Sequence, residues 1–270
     1  MNPPSERRDR VERIFNAVAK GYDRPELSWF DLTASAIAQK GELGANQRAL
    51  DIATGTGKVA LALASTAPGA QVVGLDLSSA MLQVAQDKAK SAGLSNVSFE
   101  HMAFEEMKYG PSFDLVTCSF ALFFVDEMTP MLQLFAAQVR PHGRLILSSF
   151  APGSFSPFTD CFFRLFEEFG FQSPPPSWLR LSTEAKIDEL FCEAQLPTPT
   201  YFHHDFGLEI PDAQFWWQIV WNAGYRGLLQ MMDESQQREF KEQHLAEVQD
   251  ILNQGETHLP VGVILATCNL

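Results

Sequence analysis

Two carboxylates and a glycine-rich turn are the residues of this chain whose types and spacing could do chemistry. Asp51 sits in the apolar run Ala49-Leu50-Asp51-Ile52, and Ala53-Thr54-Gly55-Thr56-Gly57-Lys58 follows directly. Asp76 lies nineteen positions past Gly57, at the end of a second apolar run. A strand, a glycine turn against a helix N-terminus and an acid on the next strand build a nucleoside pocket. The turn allows close approach of backbone to ligand, and the acid can hold the two ribose hydroxyls. Gly55-Thr56-Gly57-Lys58-Val59-Ala60 also satisfies the loose G-x-G-x-x-A spacing of a nicotinamide dinucleotide site. A Walker phosphate loop is excluded, because Val59 follows Lys58 and the glycine spacing is wrong.

Hydrophobic periodicity supplies the elements that must position these groups. Val11, Ile14, Phe15 and Val18 recur at helical spacing, which predicts a helix over 5–20, and a second is expected over 28–41. From residue 48 strands and helices alternate: strands at 48–53, 71–76, 97–101, 113–119 and 143–150, helices at 57–66, 79–92 and 128–139. That rhythm predicts an α/β fold with a parallel sheet and right-handed crossovers. Beyond Phe150 helices are expected at 158–170, 182–194, 212–232 and 234–253, with strands at 199–208 and 259–268. The organisation expected is one structural domain in three stretches. These are an N-terminal helical lid (1–45), a nucleoside-binding core (46–150) and a remainder of the sheet carrying helical cap insertions (151–270).

Composition narrows the partners. Thirty-three acids against 20 Lys and Arg give a net charge of −13, which disfavours binding to phosphate backbones and anionic lipid. No apolar run approaches membrane-spanning length, no signal peptide is read at the N-terminus, and the four cysteines form no Cys-x-x-Cys pair. A cytoplasmic protein with reduced thiols is expected, as a monomer or homodimer, with no metal. Many of the 22 Phe and 5 Trp fall in 150–178 and 202–221. Most serve core packing, but an apolar cap over the sheet edge would also make a pocket for a hydrophobic or aromatic small molecule.

Three features favour S-adenosylmethionine over a dinucleotide. Asp51 stands just before the turn, where a carboxylate suits a cationic amino-acid end and would crowd a pyrophosphate. Two helices precede the first strand. Phe113-Asp114-Leu115-Val116-Thr117-Cys118-Ser119 ends in small polar residues at the carboxyl edge of the sheet. On these residues, and on Tyr22-Asp23, Gly74-Leu75-Asp76-Leu77-Ser78-Ser79-Ala80-Met81-Leu82 and Val139-Arg140-Pro141-His142-Gly143, the chain resembles class I S-adenosylmethionine-dependent methyltransferases. It looks most like the ubiquinone/menaquinone-biosynthesis C-methyltransferases and their small-molecule relatives, over about residues 11–150.

The resemblance implies a Rossmann-like, seven-stranded, mostly parallel sheet and a set of roles. Asp51 and the backbone of Ala53, Thr54, Gly55, Thr56 and Gly57 hold the methionine end of the cofactor. Asp76 takes the ribose hydroxyls, Leu77 and Met81 pack on adenine, and Ala103 and Phe104 flank it. Ser119 and Phe120 floor the sulfonium, and Tyr22 reaches the cofactor carboxylate from the lid. The chain departs from the pattern at Ala53, where glycine is common, and at Met102, where an acid is common. Position 119–122 reads Ser-Phe-Ala-Leu and carries no Asn/Asp-Pro-Pro-Tyr/Phe tetrapeptide, which argues against methylation of nucleic-acid bases.

A general base is required only where the acceptor must lose a proton early. The candidates are His101, His203, His204 and Tyr225, each with a structural alternative: His101 as a hydrogen-bonded strand end, one of the paired histidines pointing outward, Tyr225 as core. Three functions remain open from the residues alone: methyl transfer to a hydrophobic or aromatic small molecule at carbon, nitrogen or oxygen; nicotinamide-dependent oxidoreduction; and cofactor binding without turnover.

Overall fold

Apolar runs flanking polar turns fold here into strands, the central ones buried on both faces as a parallel sheet demands and the edge ones partly exposed. The computed structural model describes residues 4–172 and 175–270. Residues 1–3 of the expected lid and 173–174 of the expected cap lie outside the described residues. The strands of the main sheet are β1 (Arg48–Ile52), β2 (Gln71–Asp76), β3 (Val97–His101), β4 (Phe113–Ser119), β5 (Val139–Phe150), β6 (Thr200–Asp205) and β7 (Gly262–Asn269). Their order is β3-β2-β1-β4-β5-β7-β6, parallel throughout except that β7 runs antiparallel to both neighbours. This is the seven-stranded, mostly parallel, Rossmann-like sheet expected.

Ten α-helices flank it among the described residues: α1 (Pro4–Val18), α2 (Trp29–Gly41), α3 (Lys58–Thr66), α4 (Ser79–Ser91), α5 (Met128–Ala136), α6 (Phe158–Glu168), α7 (Glu184–Glu193), α8 (Ala213–Asn222), α9 (Arg226–Leu229) and α10 (Glu234–Asn253). Local chemistry sets several ends. Ser78 Oγ accepts from the Met81 amide at 3.1 Å and caps α4. Asp233 and Gln236 form a reciprocal capping box at the start of α10.

Two expected elements are divided. The strand expected over 199–208 stops at Asp205, whose side chain accepts from the Gly207 amide at 3.0 Å and turns the chain. Leu208–Glu209 then pairs with His258–Leu259 in a separate two-stranded ribbon. The helix expected over 212–232 breaks at Ala223, which is extended (φ −122°, ψ −162°), and resumes as α9. The break lets α9 dock on the lid: a Cβ on Gly227 would stand 2.6 Å from Ile14 Cδ1.

The aromatic residues of the C-terminal half interlock with one another. Phe162 of α6 meets Tyr225 and Phe240 edge-on, both at 5.1 Å, and Phe158 lies 5.4 Å from Trp216. Trp216, Trp217, Ile219 and Val220 of α8 are all buried, which accounts for a helix with almost no polar face.

Candidate functional site

Between β1 and β4 the direction of strand succession reverses, and a cavity of about 310 Å³ opens there at the carboxyl ends of the strands. Its walls include Tyr22, Asp51, Ala53, Thr54, Gly55, Thr56, Asp76, Leu77, Met81, Ala103, Phe104, Ser119 and Phe120. Gly57 does not line it. That residue has φ +80° at the start of α3, and a Cβ there would lie 2.9 Å from the Ala85 methyl group of α4. Glycine is therefore required for the turn and its close packing.

Asp51 is 1% exposed. The β1–β4 register sets it beside Thr117, whose hydroxyl donates to Oδ1 at 2.7 Å, and Thr54 Oγ1 donates to Oδ2 at 2.6 Å. Burial dominates and lifts its pKa to about 6, against the pull of the two hydroxyls. Asp76 ends β2. The Gly55 amide donates to its Oδ2 and the Ser78 amide to its Oδ1, both at 2.8 Å. Burial again raises its pKa, opposed by these backbone donors. A carboxylate has about four acceptor positions, and with the Leu77 backbone also bonding to it Asp76 keeps capacity for one further donor. Ala53 (φ 54°) and Phe120 (φ 51°), just past the ends of β1 and β4, are held in the left-handed region on the cavity wall. Such strained non-glycine residues cluster at functional sites.

The N-terminal segment roofs the cavity through polar fastenings that the sequence did not reveal. Asn16 Oδ1 accepts from Ser78 Oγ at 2.7 Å and the Ala80 amide at 3.3 Å, tying α1 to the start of α4. Asp23 accepts from Thr56 Oγ1 at 2.7 Å and Lys88 Nζ at 2.8 Å, and Lys58 Nζ lies 3.0 Å away. These contacts keep the Asp23 carboxyl below its usual range despite partial burial. Asp23 adjoins Tyr22 within the motif text, which is the one signal that could have flagged it; Asn16, Lys58 and Lys88 carried none. Val18, Ala19 and Met81 form a small core under the roof. The Tyr22 phenol is pushed above its ordinary range by burial, reinforced by Asp76 and Asp23, so it stays neutral.

None of the four candidate bases lines the cavity. His101 Nε2 bonds the Leu77 carbonyl at 2.8 Å, a strand-end tie. His203 and His204 lie on β6, the far edge of the sheet: His203 pairs with Glu184 at 2.5 Å, and His204 stacks on Phe206. Tyr225 bonds Thr159 within the aromatic core. The expected apolar cap also takes a different place. Every lining residue falls at or before Met131, and the aromatic residues of 150–178 and 202–221 pack behind the sheet edge or in the C-terminal core. Most pack on one another, while Phe150 stacks behind Phe120 and Phe155 packs on Trp29, so they back the cavity wall without lining it.

One cluster of possible ligand atoms lies apart, Cys161, His244 and Glu247. Trp216 Nε1 donates to His244 Nε2 at 2.8 Å, which puts the ring proton on Nδ1, facing Cys161 Sγ at 3.6 Å; Cys161 donates onward to Glu247 at 2.8 Å. The group forms a chain of hydrogen bonds whose acceptors are already taken. No helix among the described residues is long and apolar enough to cross a membrane.

Residues 43–193 match the family model described as "Methyltransferase domain". The chain is similar to demethylmenaquinone methyltransferase of Geobacillus kaustophilus (strain HTA426), at 34% identity over 149 residues, 51% of this chain and 62% of that one. The match thus spans less than two thirds of that relative. It is also similar to the ubiquinone/menaquinone biosynthesis C-methyltransferase UbiE of Rhizobium leguminosarum bv. trifolii (strain WSM2304), at 29% over 224 residues, 79% of this chain and 84% of that one. The solved structure of the YcgJ protein from Bacillus subtilis shares the fold, with a TM-score of 0.59 at 23% identity over 88% of this chain and 97% of that one.

Proposed function

Because this chain belongs to the methyltransferase domain family, we propose that it binds S-adenosylmethionine in the cavity at the β1–β4 switch point and methylates an apolar or aromatic small molecule. The residues fit that cofactor. Asp51 offers a buried carboxylate to an ammonium group, the Gly55 turn offers close backbone approach, and Asp76 offers a cavity-lining carboxylate to the ribose hydroxyls. When bound, the cofactor supplies an electrophilic methyl group and leaves as S-adenosylhomocysteine. The chain contributes alignment and a dry site, the main protein tasks in such chemistry. Glu12, Glu105 and Glu127 line the same cavity, so a proton released by an acceptor has carboxylates on its way to solvent.

Relatives named for demethylmenaquinone support an acceptor with an aromatic ring. The Asp51–turn–Asp76 arrangement carries the reading, together with the family membership that sets aside nicotinamide chemistry. Isothermal titration tests it: S-adenosylmethionine and S-adenosylhomocysteine should both bind, and Asp76→Ala should weaken both at least about tenfold, since a hydrogen bond to a charged group is worth about 1.5–3 kcal/mol. No heat with either compound would refute it.

A further inference from the structure

One side chain of the C-terminal half acts on the cavity without lining it. Arg180 belongs to the short 3₁₀ helix Ser177–Leu181. Its Nη1 donates to the Phe123 carbonyl at 3.1 Å and to the Val125 carbonyl, and its Nη2 donates to the Asp126 carbonyl at 2.8 Å. These three carbonyls belong to the turn between β4 and α5, and Phe124, Val125, Asp126 and Glu127 of that turn line the cavity. Neither the Phe123 nor the Val125 carbonyl receives a backbone amide among the described residues. The half-buried guanidinium supplies the donors that regular structure supplies elsewhere. Its rigid planar fork suits a bend, where several carbonyls must be met at once from fixed directions.

The short helix is itself held. Trp178 meets Phe150 edge-on at 6.1 Å, and Lys186 Nζ of α7 donates to the Leu179 carbonyl at 2.6 Å. Arg180 is thus a fixed post, and the turn is what it fixes. The cofactor roles implied above fall on Tyr22, Asp51, the glycine turn, Asp76, Leu77, Met81, Ala103, Phe104, Ser119 and Phe120. None falls on 123–127, which leaves that stretch of wall to face the methyl acceptor. We propose that Arg180 is a positioning residue for the acceptor: through the backbone of 123–126 it sets the wall that the acceptor meets, and it takes no part in holding the cofactor. The proposal rests on the reading of the cavity as a methyltransferase site and adds a residue that neither the motifs nor the family resemblance assigned.

The test compares Arg180→Met and Arg180→Lys with the unmodified protein. Isothermal titration gives the affinity for S-adenosylhomocysteine. Fluorescence then gives the affinity of the protein saturated with that compound for N-phenyl-1-naphthylamine, an uncharged two-ring aromatic probe. In Arg180→Met the probe should weaken at least about fivefold, the worth of about one hydrogen bond, while S-adenosylhomocysteine holds within about twofold. Arg180→Lys, which keeps the charge and loses the fork, should recover part of the probe affinity. Amide exchange across 122–127 should quicken in Arg180→Met, and should slow when the probe binds the unmodified protein. A merely structural loss would weaken both affinities together, so that outcome overturns the proposal, as does a probe affinity unchanged in Arg180→Met or a probe that leaves exchange across 122–127 unaltered; the cofactor reading survives each of these. If the unmodified protein takes S-adenosylhomocysteine but not the probe, the apolar-acceptor reading falls and this proposal with it. If it takes neither, the cofactor reading falls as well.

Discussion

The switch-point cavity and the C-terminal helical core bury polar groups in opposite ways. At the cavity, Asp51 and Asp76 are held by hydroxyls and backbone amides that leave acceptor positions over. In the C-terminal core, Trp216, His244, Cys161 and Glu247 pass one chain of hydrogen bonds along, and Tyr225 and Thr159 close on each other. Carboxylates buried at the cavity wall are open to a ligand, while the aromatic and titratable side chains of the C-terminal core are taken up by packing and by one another.

That contrast breaks most sharply at Phe162, which is fully buried among Tyr225, Phe240 and His244. Phe162→Ala should destabilise the fold by about 3–5 kcal/mol in denaturant titrations, with cofactor affinity of the remaining folded protein unchanged. An equal loss of affinity would show that the two regions are not separable. Trp216→Phe should cost about 1–3 kcal/mol by leaving His244 Nε2 without its donor, again with binding preserved.

The two regions also respond oppositely to pH. Burial lowers His244 to about 4, so as pH falls from its ordinary 6.5 the unfolded chain takes the proton first. Its contribution is present above 6.5 and is lost toward pH 4. Asp51, raised to about 6 from an ordinary 3.8, behaves the other way: the folded protein takes the proton first, so its contribution grows as pH falls through 6 and is lost as pH rises through that value. In stability-against-pH profiles between about 4 and 6.5, Asp51→Asn should therefore steepen the acid-side loss, and His244→Gln should flatten it. A slope unchanged by both would refute the assignments. Ligand binding sharpens the point: affinity for S-adenosylmethionine should fall as pH drops through about 6 while Asp51 loses its charge, and should stay flat in Asp51→Asn.

The smallest effect concerns the roof. Lys88 is about one-third exposed and joins Asp23 to the Thr56 carbonyl. Lys88→Met should change global stability by less than about 1 kcal/mol, yet speed amide exchange across residues 15–24, because the roof is fastened mainly by such contacts. Unchanged exchange would mean that its apolar packing alone holds it.

Much of the cavity was legible because its signals are local. A glycine with positive φ at Gly57, a strand-terminal acid at Asp76 and strand–helix alternation each depend on neighbours a few residues away. The break at Ala223 and the short ribbon at Leu208–Glu209 were not legible. The first answers to Ile14, more than two hundred residues upstream, and the second to His258–Leu259. Three of the four base candidates stand away from the cavity for the same reason: residue type suggested chemistry, but β6 is an edge strand remote from the switch point and Tyr225 is sealed in the core; the fourth, His101, is engaged by the Leu77 carbonyl.

The strand–turn–helix unit, the acid on the second strand and the succession of the first five strands follow from the residues alone, since hydrophobic period and turn chemistry act over one or two elements. What covers the cavity does not. The C-terminal aromatic residues and the N-terminal helix were both apolar enough to serve. Long-range partners made the choice in the folded molecule: Asn16, Asp23, Lys58 and Lys88 fasten the N-terminal segment at the strand ends, while α6, α8 and α10 bury their rings against one another.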